Sequence, residues 1–305
     1  MCQTLSRVGS VADKTRLEWT DATWNPVTGC TKVSPGCDHC YAETFTNRFK
    51  RHPFTEVTLH PDRMTQPFAW KTPRMIFTCS MGDLFHSAVP WTFILAVFCT
   101  MAETERHTYQ VLTTRPGRMA YFAEHIWSKV APWPANVWAG TSVESQKYAP
   151  RLDVLARVPA QVRFVSYEPA LGPVDLYPFL NWCRLCLDPR DGHDDKGWGH
   201  YCRALDWVIA GGESGPGARP AHPDWIRSAR DQCQAAGVPF FFKQWGEWAA
   251  AGQERAPDSL GHMVLVESPG GSTIPMMRVG KKAAGAVLDG QEWREFPQAT
   301  RGRHA

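Results

Sequence analysis

The sequence predicts an α/β fold, a full or partial (β/α) barrel carrying a Cys/His-rich insert and a C-terminal extension. Three observations predict it. Short β-type runs alternate with helical stretches of roughly 10–15 residues, the pattern of βα units feeding a parallel sheet. About seven such runs over some 230 residues suit a barrel, with a doubly wound open sheet as the alternative. Nearly every run ends in polar residues, and residues at the carboxyl ends of barrel strands converge on one mouth.

The elements follow in chain order. A first strand is expected within Leu17 to Val27, just before a group of cysteines. Arg74 to Ser80 (RMIFTCS) is apolar and β-rich and ends in a Gly-Asp turn at Asp83. Trp91 to Arg106 reads as a helix. The longest apolar run, Ala88 to Ala102, overlaps it, contains Pro90 and is followed by Glu103, Glu105 and Arg106. It is too short for a membrane span and reads as a buried core helix. Next come a strand at Thr108 to Thr114, a helix at Pro116 to Lys129 and a strand at Asn136 to Ser142. A helix at Gln146 to Arg157 precedes the strand Val162 to Glu168. Asp206 to Gly211, helical Asp224 to Ala236 and Val238 to Lys243 complete the series. The polar strand ends are Asp83, Thr113-Thr114-Arg115, Ser142 with Glu144, Glu168, Gly212-Glu213-Ser214 and Lys243-Gln244. The barrel is thus expected over 1–248, interrupted by an insert at 181–204, with an extension at 249–305 that packs on it.

Composition narrows the function classes. With 43% hydrophobic and 21% charged residues in 305, the chain can bury a full core, which excludes disorder over most of its length. No period of 20–50 residues recurs, which excludes a solenoid. A net charge of +3 is too small to announce a nucleic-acid binder by electrostatics alone. Met1 to Lys14 has no apolar core of a signal peptide, so a cytoplasmic protein with reduced thiols is expected.

Ten cysteines and fourteen tryptophans are unusual. Cys2, Cys79, Cys99 and Cys233 stand alone and read as small buried hydrophobes. Cys30, Cys37 and Cys40 form a C-x6-C-x2-C group among turn residues. Thiolates are soft ligands that select zinc or iron–sulfur clusters. Structural zinc wants four ligands, so His39 or Cys79 would have to complete the set. A [4Fe–4S] cluster held by three cysteines leaves one iron open instead. The insert offers a second group, Cys183-x2-Cys186 with His200-x-Cys202. It has little apolar material to fold without a metal, so structural zinc is expected there, with a second iron–sulfur cluster as the alternative. Most tryptophans read as core. Trp245 and Trp248, beside Lys243 and Gln244, are the candidates for stacking on bases.

The segments TGCTKVSPGCDHCYAE, SMGDLFH, LTTRPGRM, WAGTSVES, SYEPALGP, DWVIAGGESGPGARP and FFFKQWGEW together resemble a phage- and bacteria-associated family of three-cysteine proteins. That family is similar to the radical S-adenosylmethionine superfamily, including spore photoproduct lyase. The first spacer departs from the superfamily's usual C-x3-C-x2-C, and His39 stands where an aromatic usually sits, with Tyr41 available to take over its packing. The resemblance implies that Cys30, Cys37 and Cys40 hold three irons of a [4Fe–4S] cluster. S-adenosylmethionine would chelate the fourth and yield a 5′-deoxyadenosyl radical. Asp83 would then face the methionyl amine, and Ser142 and Glu144 the ribose or methionyl carboxylate. Read from the residues alone, these three are equally well helix N-caps.

Gly211, Gly212 and Glu213 form a glycine-rich strand exit that would let backbone approach the cofactor. Glu168, kept out of a helix by Pro169, and Lys243 are the candidate catalytic residues. Arg115 and Lys243 could neutralise a substrate phosphate. The implied partners are an electron donor such as flavodoxin or ferredoxin and a DNA, RNA or nucleotide substrate, with no membrane. Two rival readings remain: a zinc-stabilised, non-enzymatic nucleic-acid-binding protein, and a redox or sensing protein whose cluster is closed by Cys79.

Overall fold

The computed structural model describes residues 15, 17–49, 52–180, 204–250, 262–268 and 270–298. Seven strands form one sheet: β1 (Ala22–Trp24), β2 (Met75–Thr78), β3 (Thr108–Thr113), β4 (Val137–Ser142), β5 (Arg163–Tyr167), β6 (Trp207–Ala210) and β7 (Phe240–Phe242). All six pairings are parallel and follow chain order from β1 to β7. A doubly wound sheet reverses its strand order at a switch point. Here every crossover steps in the same direction, so right-handed connections put the helices on one face and the sheet curls around the other. β1 and β7 do not pair, which makes this a half-barrel rather than a closed one.

Helix α1 (Tyr41–Arg48) follows β1 at the carboxyl end of the sheet, and the helices on the outer face are α2 (Trp91–Glu103), α3 (Pro116–His125), α4 (Arg151–Ala156) and α5 (Pro223–Ala236). α2 buries Ile94, Val97, Phe98 and Met101 along one stripe, as its apolar run requires. Among the described residues no helix is long and apolar enough to cross a membrane. α3 and α5 each start with proline at the first helical position, where the missing N–H costs nothing. α5 ends at Gly237, whose φ of 62° closes the helix in the left-handed region. Two expected helices are shorter than their sequence patterns. Pro150 splits Gln146 to Arg157 into a 3-10 turn (Gln146–Tyr148) and α4. The Pro116 to Lys129 stretch ends as α-helix at His125 and continues as a 3-10 turn.

Side-chain alternation divides the strands between two cores. Ile76, Val111, Ala139, Val165, Val208 and Phe242 face the helices. Phe77, Trp138, Phe164, Trp207, Ile209 and Phe241 point into the half-barrel, where Trp19 joins them. Their rings meet at an angle, with Trp19–Phe77 centroids 4.7 Å apart and Trp138–Trp207 edge-to-face at 5.9 Å. This aromatic plug lies toward the amino ends of the strands and leaves the carboxyl ends open. Gly140 makes room for it, since a Cβ there would lie 2.4 Å from the Phe164 ring.

The outer edge of β7 is covered by the 293–296 segment. Phe242 donates its N–H to the Trp293 carbonyl (2.9 Å), and Phe296 packs on Trp207. The rest of the described extension comprises a three-stranded antiparallel sheet of Trp248–Ala250, Thr273–Arg278 and Met263–Glu267, a short helix (Lys281–Ala284) and a two-stranded hairpin of Val287–Leu288 with Gln291–Glu292. Cys183, Cys186, His200 and Cys202, the expected zinc set, lie outside the described residues.

Gly140→Ala is expected to destabilise the protein by about 1–3 kcal/mol, because the plug cannot absorb a methyl without moving Phe164. Urea unfolding measures it. An unchanged midpoint would mean that the ring has room to swing aside.

Candidate functional site

Above the aromatic plug the strands line a cavity of about 430 Å³. The inward positions change character within one residue pair. Phe77 is followed by Cys79, Gly140 by Ser142, Phe164 by Ser166 and Glu168, and Phe241 by Lys243, and all five of these polar residues face the cavity. The volume is that of a small-molecule site. Lys243 Nζ lies 2.7 Å from Glu168 Oε1, with both side chains largely buried. Ser142 is the expected residue that stays open to the cavity, although its carbonyl is taken by Arg151.

The cysteine loop covers this cavity. After β1 the chain turns at Gly29, whose φ of 85° and 2.2 Å approach of a virtual Cβ to the Glu56 carbonyl admit only glycine. Cys37 ends a 3-10 turn (Pro35–Cys37), and Cys40 caps α1. Cys30, Cys37, Cys40 and Cys79 all line the cavity, as do His39 and Tyr41. The Tyr41 hydroxyl donates to the Ser80 carbonyl, which ties α1 to the exit of β2.

Three arginine–carboxylate pairs at strand exits hold the loop down, two through the arginine and one through the carboxylate. Following β2, Asp83 pairs with Arg115 at 2.8 Å; Arg115 then donates to the Thr31 carbonyl (2.9 Å) and approaches Cys30 Sγ at 3.4 Å. Following β4, Glu144 pairs with Arg151 at 3.1 Å and accepts from Ser34 Oγ at 2.5 Å. Following β6, Glu213 pairs with Arg219 at 2.6 Å; Arg219 also donates to the Pro35 carbonyl (2.7 Å) and reaches Asp38. The three carboxylates are 2–5% exposed, so each charge needs its partner.

These contacts revise several expected roles. Asp83 lines the cavity, but its carboxylate is engaged by Arg115, Thr113 and the Phe85 N–H. Glu144 lies off the cavity wall, and a Cβ on Gly36 would strike it at 2.5 Å. Glu213 borders the cavity while bound through both oxygens to Arg219. All three act as braces of the loop. Arg115 is likewise committed to Asp83 and the loop rather than to a phosphate.

Gly212 and Gly211 admit other parts of the protein. A Cβ on Gly212 would sit 1.9 Å from the Trp245 carbonyl, and one on Gly211 3.3 Å from the Glu168 carboxyl. Trp245 and Trp248 are not stacking surfaces. They are 1% and 4% exposed, with their indole N–H groups bound to the Val287 and Ala218 carbonyls. Arg151, Arg219, Ser34 and Thr31 were not singled out from the sequence. The available signal is the acid-then-arginine pattern after a strand, in SVESQKYAPR and GGESGPGAR.

Burial pushes the Cys30 thiol up to about 11; Asp83 adds to the rise and Arg115 opposes it. Burial also raises Cys40 and Cys79. These groups are therefore thiols at neutral pH, and ligation must displace their protons. Among the described residues, no three Cys, His, Asp or Glu side chains gather for a single metal ion. The three thiols nonetheless line one cavity, and an iron–sulfur cluster would take each of them on a different iron.

The class defined here is a parallel α/β half-barrel whose mouth is covered by a braced three-thiol loop. The chain belongs to the family described as protein of unknown function DUF5131, which matches residues 14–297. No curated protein matches it. Solved structures of spore photoproduct lyase are similar in fold. A cysteine-to-serine mutant gives a TM-score of 0.42 at 10% identity, covering 90% of this chain and 73% of that one. A mutant with bound AdoMet and dinucleoside spore photoproduct gives 0.41 at 9% identity, covering 85% and 69%.

Glu144→Gln is expected to cost about 3 kcal/mol, because it leaves the Arg151 charge without its counterion. In metal-free protein it should also speed alkylation of Cys37 by N-ethylmaleimide, read by peptide mass spectrometry. If stability falls while labelling stays at the parent rate, Glu144 does not brace the loop.

Proposed function

We propose that this protein is an iron–sulfur enzyme of the radical S-adenosylmethionine type, acting on nucleic acid or a nucleotide. The observation that carries the reading is the placing of Cys30, Cys37 and Cys40 on one braced loop over the half-barrel cavity. When bound, the cluster with S-adenosylmethionine supplies one-electron cleavage of the sulfonium and hydrogen abstraction from a substrate. The three thiolates would hold three irons and leave the fourth without a protein ligand. Arg115, donating toward Cys30 Sγ, offsets negative charge on that ligand. Ser142 and Ser166 present hydroxyls at mid-depth, suited to the polar groups of a cofactor. Glu168 and Lys243 place a carboxylate–ammonium pair on the same wall, one side-chain step nearer the mouth, where it can hold or move a proton at Nζ. The aromatic plug beneath closes the far end to water. An electron donor of the flavodoxin or ferredoxin kind would be required.

A second reading rests on Cys79, whose buried thiol borders the same cavity as Cys30, Cys37 and Cys40. As fourth ligand it would close the cluster and leave no open iron.

Anaerobic reconstitution followed by absorption and electron paramagnetic resonance spectroscopy tests the first reading. The reduced cluster's spectrum should shift on adding S-adenosylmethionine, with formation of 5′-deoxyadenosine. A colourless protein holding stoichiometric zinc would sink it. Cys79→Ala separates the two readings: the cluster should survive with an unaltered spectrum if iron is open, and be lost or converted if Cys79 ligates.

Lys243→Met should lower turnover at least about tenfold without altering cluster content, since one positioned acid–base group contributes at least that much. Iron analysis alongside product formation checks this, and equal turnover would remove Lys243 from the chemistry.

A further inference from the structure

α1 leaves the cavity rim carrying a line of exposed aromatic rings that the proposed chemistry does not use. Tyr41, Phe45 and Phe49 are 54%, 55% and 53% exposed and follow one another at i, i+4 and i+8, on one face of the helix. Phe45 and Phe49 touch, with ring centroids 4.9 Å apart. Tyr41 also lines the cavity, so the row starts at the site and runs away from it.

A cation stands near each end of the row. Arg48 is exposed beside Phe49, and Lys32 stands over the start of the helix, 3.2 Å from Glu43. In sequence, residues 41–52 hold Arg48, Lys50 and Arg51 against Glu43 alone, a net of +2 in a chain whose total is +3. An exposed apolar row amid cations would be a liability in contact with water alone. It suits a polymer with repeating flat apolar faces and repeating anionic groups. A duplex keeps its base faces stacked inside, whereas a single strand can turn its bases out onto aromatic rings.

We propose that the Tyr41–Phe45–Phe49 face of α1 is a track for single-stranded nucleic acid, seating successive bases and leading the strand to the cavity. It rests on the reading of that cavity as a nucleic-acid reaction site and names the form of the substrate and its path. The rings stack on bases, which is sequence-tolerant, while Arg48 meets the phosphates and makes binding salt-dependent.

The test uses the full-length protein and a fluorescein-labelled oligothymidylate, read by anisotropy at low and moderate salt, with a hairpin duplex of equal length as comparison. The parent should prefer the single strand. Phe45→Ala with Phe49→Ala should weaken binding by about tenfold or more. Arg48→Glu should weaken binding and flatten its salt dependence. Because these side chains are exposed, the urea midpoint should hold, and Tyr177→Ala, another exposed aromatic, should bind like the parent.

The track is refuted if the parent does not bind the oligonucleotide or if the double alanine variant binds it equally well. It is also refuted if that variant keeps the oligonucleotide but loses reduction by flavodoxin, which would assign the face to an electron donor. The two proposals fail separately. A parent that binds through this face yet takes up no cluster upholds the track and removes the radical chemistry. A parent that holds the cluster while the double variant binds unchanged does the reverse.

Discussion

The cysteine loop stays over the half-barrel because three arginine–carboxylate pairs at strand exits reach it, two through the guanidinium and one through the Glu144 carboxylate. Arg115, Arg151 and Arg219 each meet a carboxylate at the exit of a different strand, β2, β4 and β6. A buried carboxylate is costly unless paired, and a buried arginine equally so. Each pair therefore stabilises only one arrangement of loop and sheet, and three pairs from three strands leave the loop little freedom to shift. Arg115 and Arg219 also spend donors on loop carbonyls, at Thr31 and Pro35, so backbone position as well as side-chain position is set.

Much of the local backbone is arranged around this bracing. Gly36 is small because the Glu144 carboxylate occupies the space where its side chain would be. Gly212 and Gly246 let the exits of β6 and β7 approach backbone to backbone, and this holds Glu213 facing Arg219. Gly29 turns the chain from β1 into the loop. With the cysteine loop held by charge pairs, the cavity wall is left to Ser142, Ser166, Glu168 and Lys243. This separates groups that position the cysteines from groups free to meet a ligand.

The tryptophans find their explanation in the other half of the barrel. Trp19, Trp138 and Trp207, with Phe77, Phe164 and Phe241, fill an interior that an open seven-stranded sheet would otherwise expose. Large flat rings meeting edge to face fill such a tapered space densely. Trp207 also bonds the Glu295 carbonyl through its indole, which links the plug to the segment covering the β7 edge. Among the described residues, the exposed aromatic row is that of α1 and its C-cap, where the rings are tyrosine and phenylalanine.

Strand and helix order, and the clustering of Cys30, Cys37 and Cys40, were determined by the sequence itself. Both are local: period-two and period-3.6 apolar patterns report which faces are buried, and eleven consecutive residues carry the thiols whatever the fold. The convergence of polar strand ends was also legible, because parallel strands in sequential order must present their carboxyl ends on one side. Tertiary structure alone decided what those ends do. Asp83, Glu144 and Glu213 looked like ligand contacts, yet arginines 32, 7 and 6 residues further along claim them. Trp245 and Trp248 looked like mouth residues, yet carbonyls from other segments bind their indoles. A carboxylate or an indole advertises its chemistry in sequence but not its partner. Burial decides the partner, because only on desolvation does an unpaired charge or N–H become too costly to leave unmet.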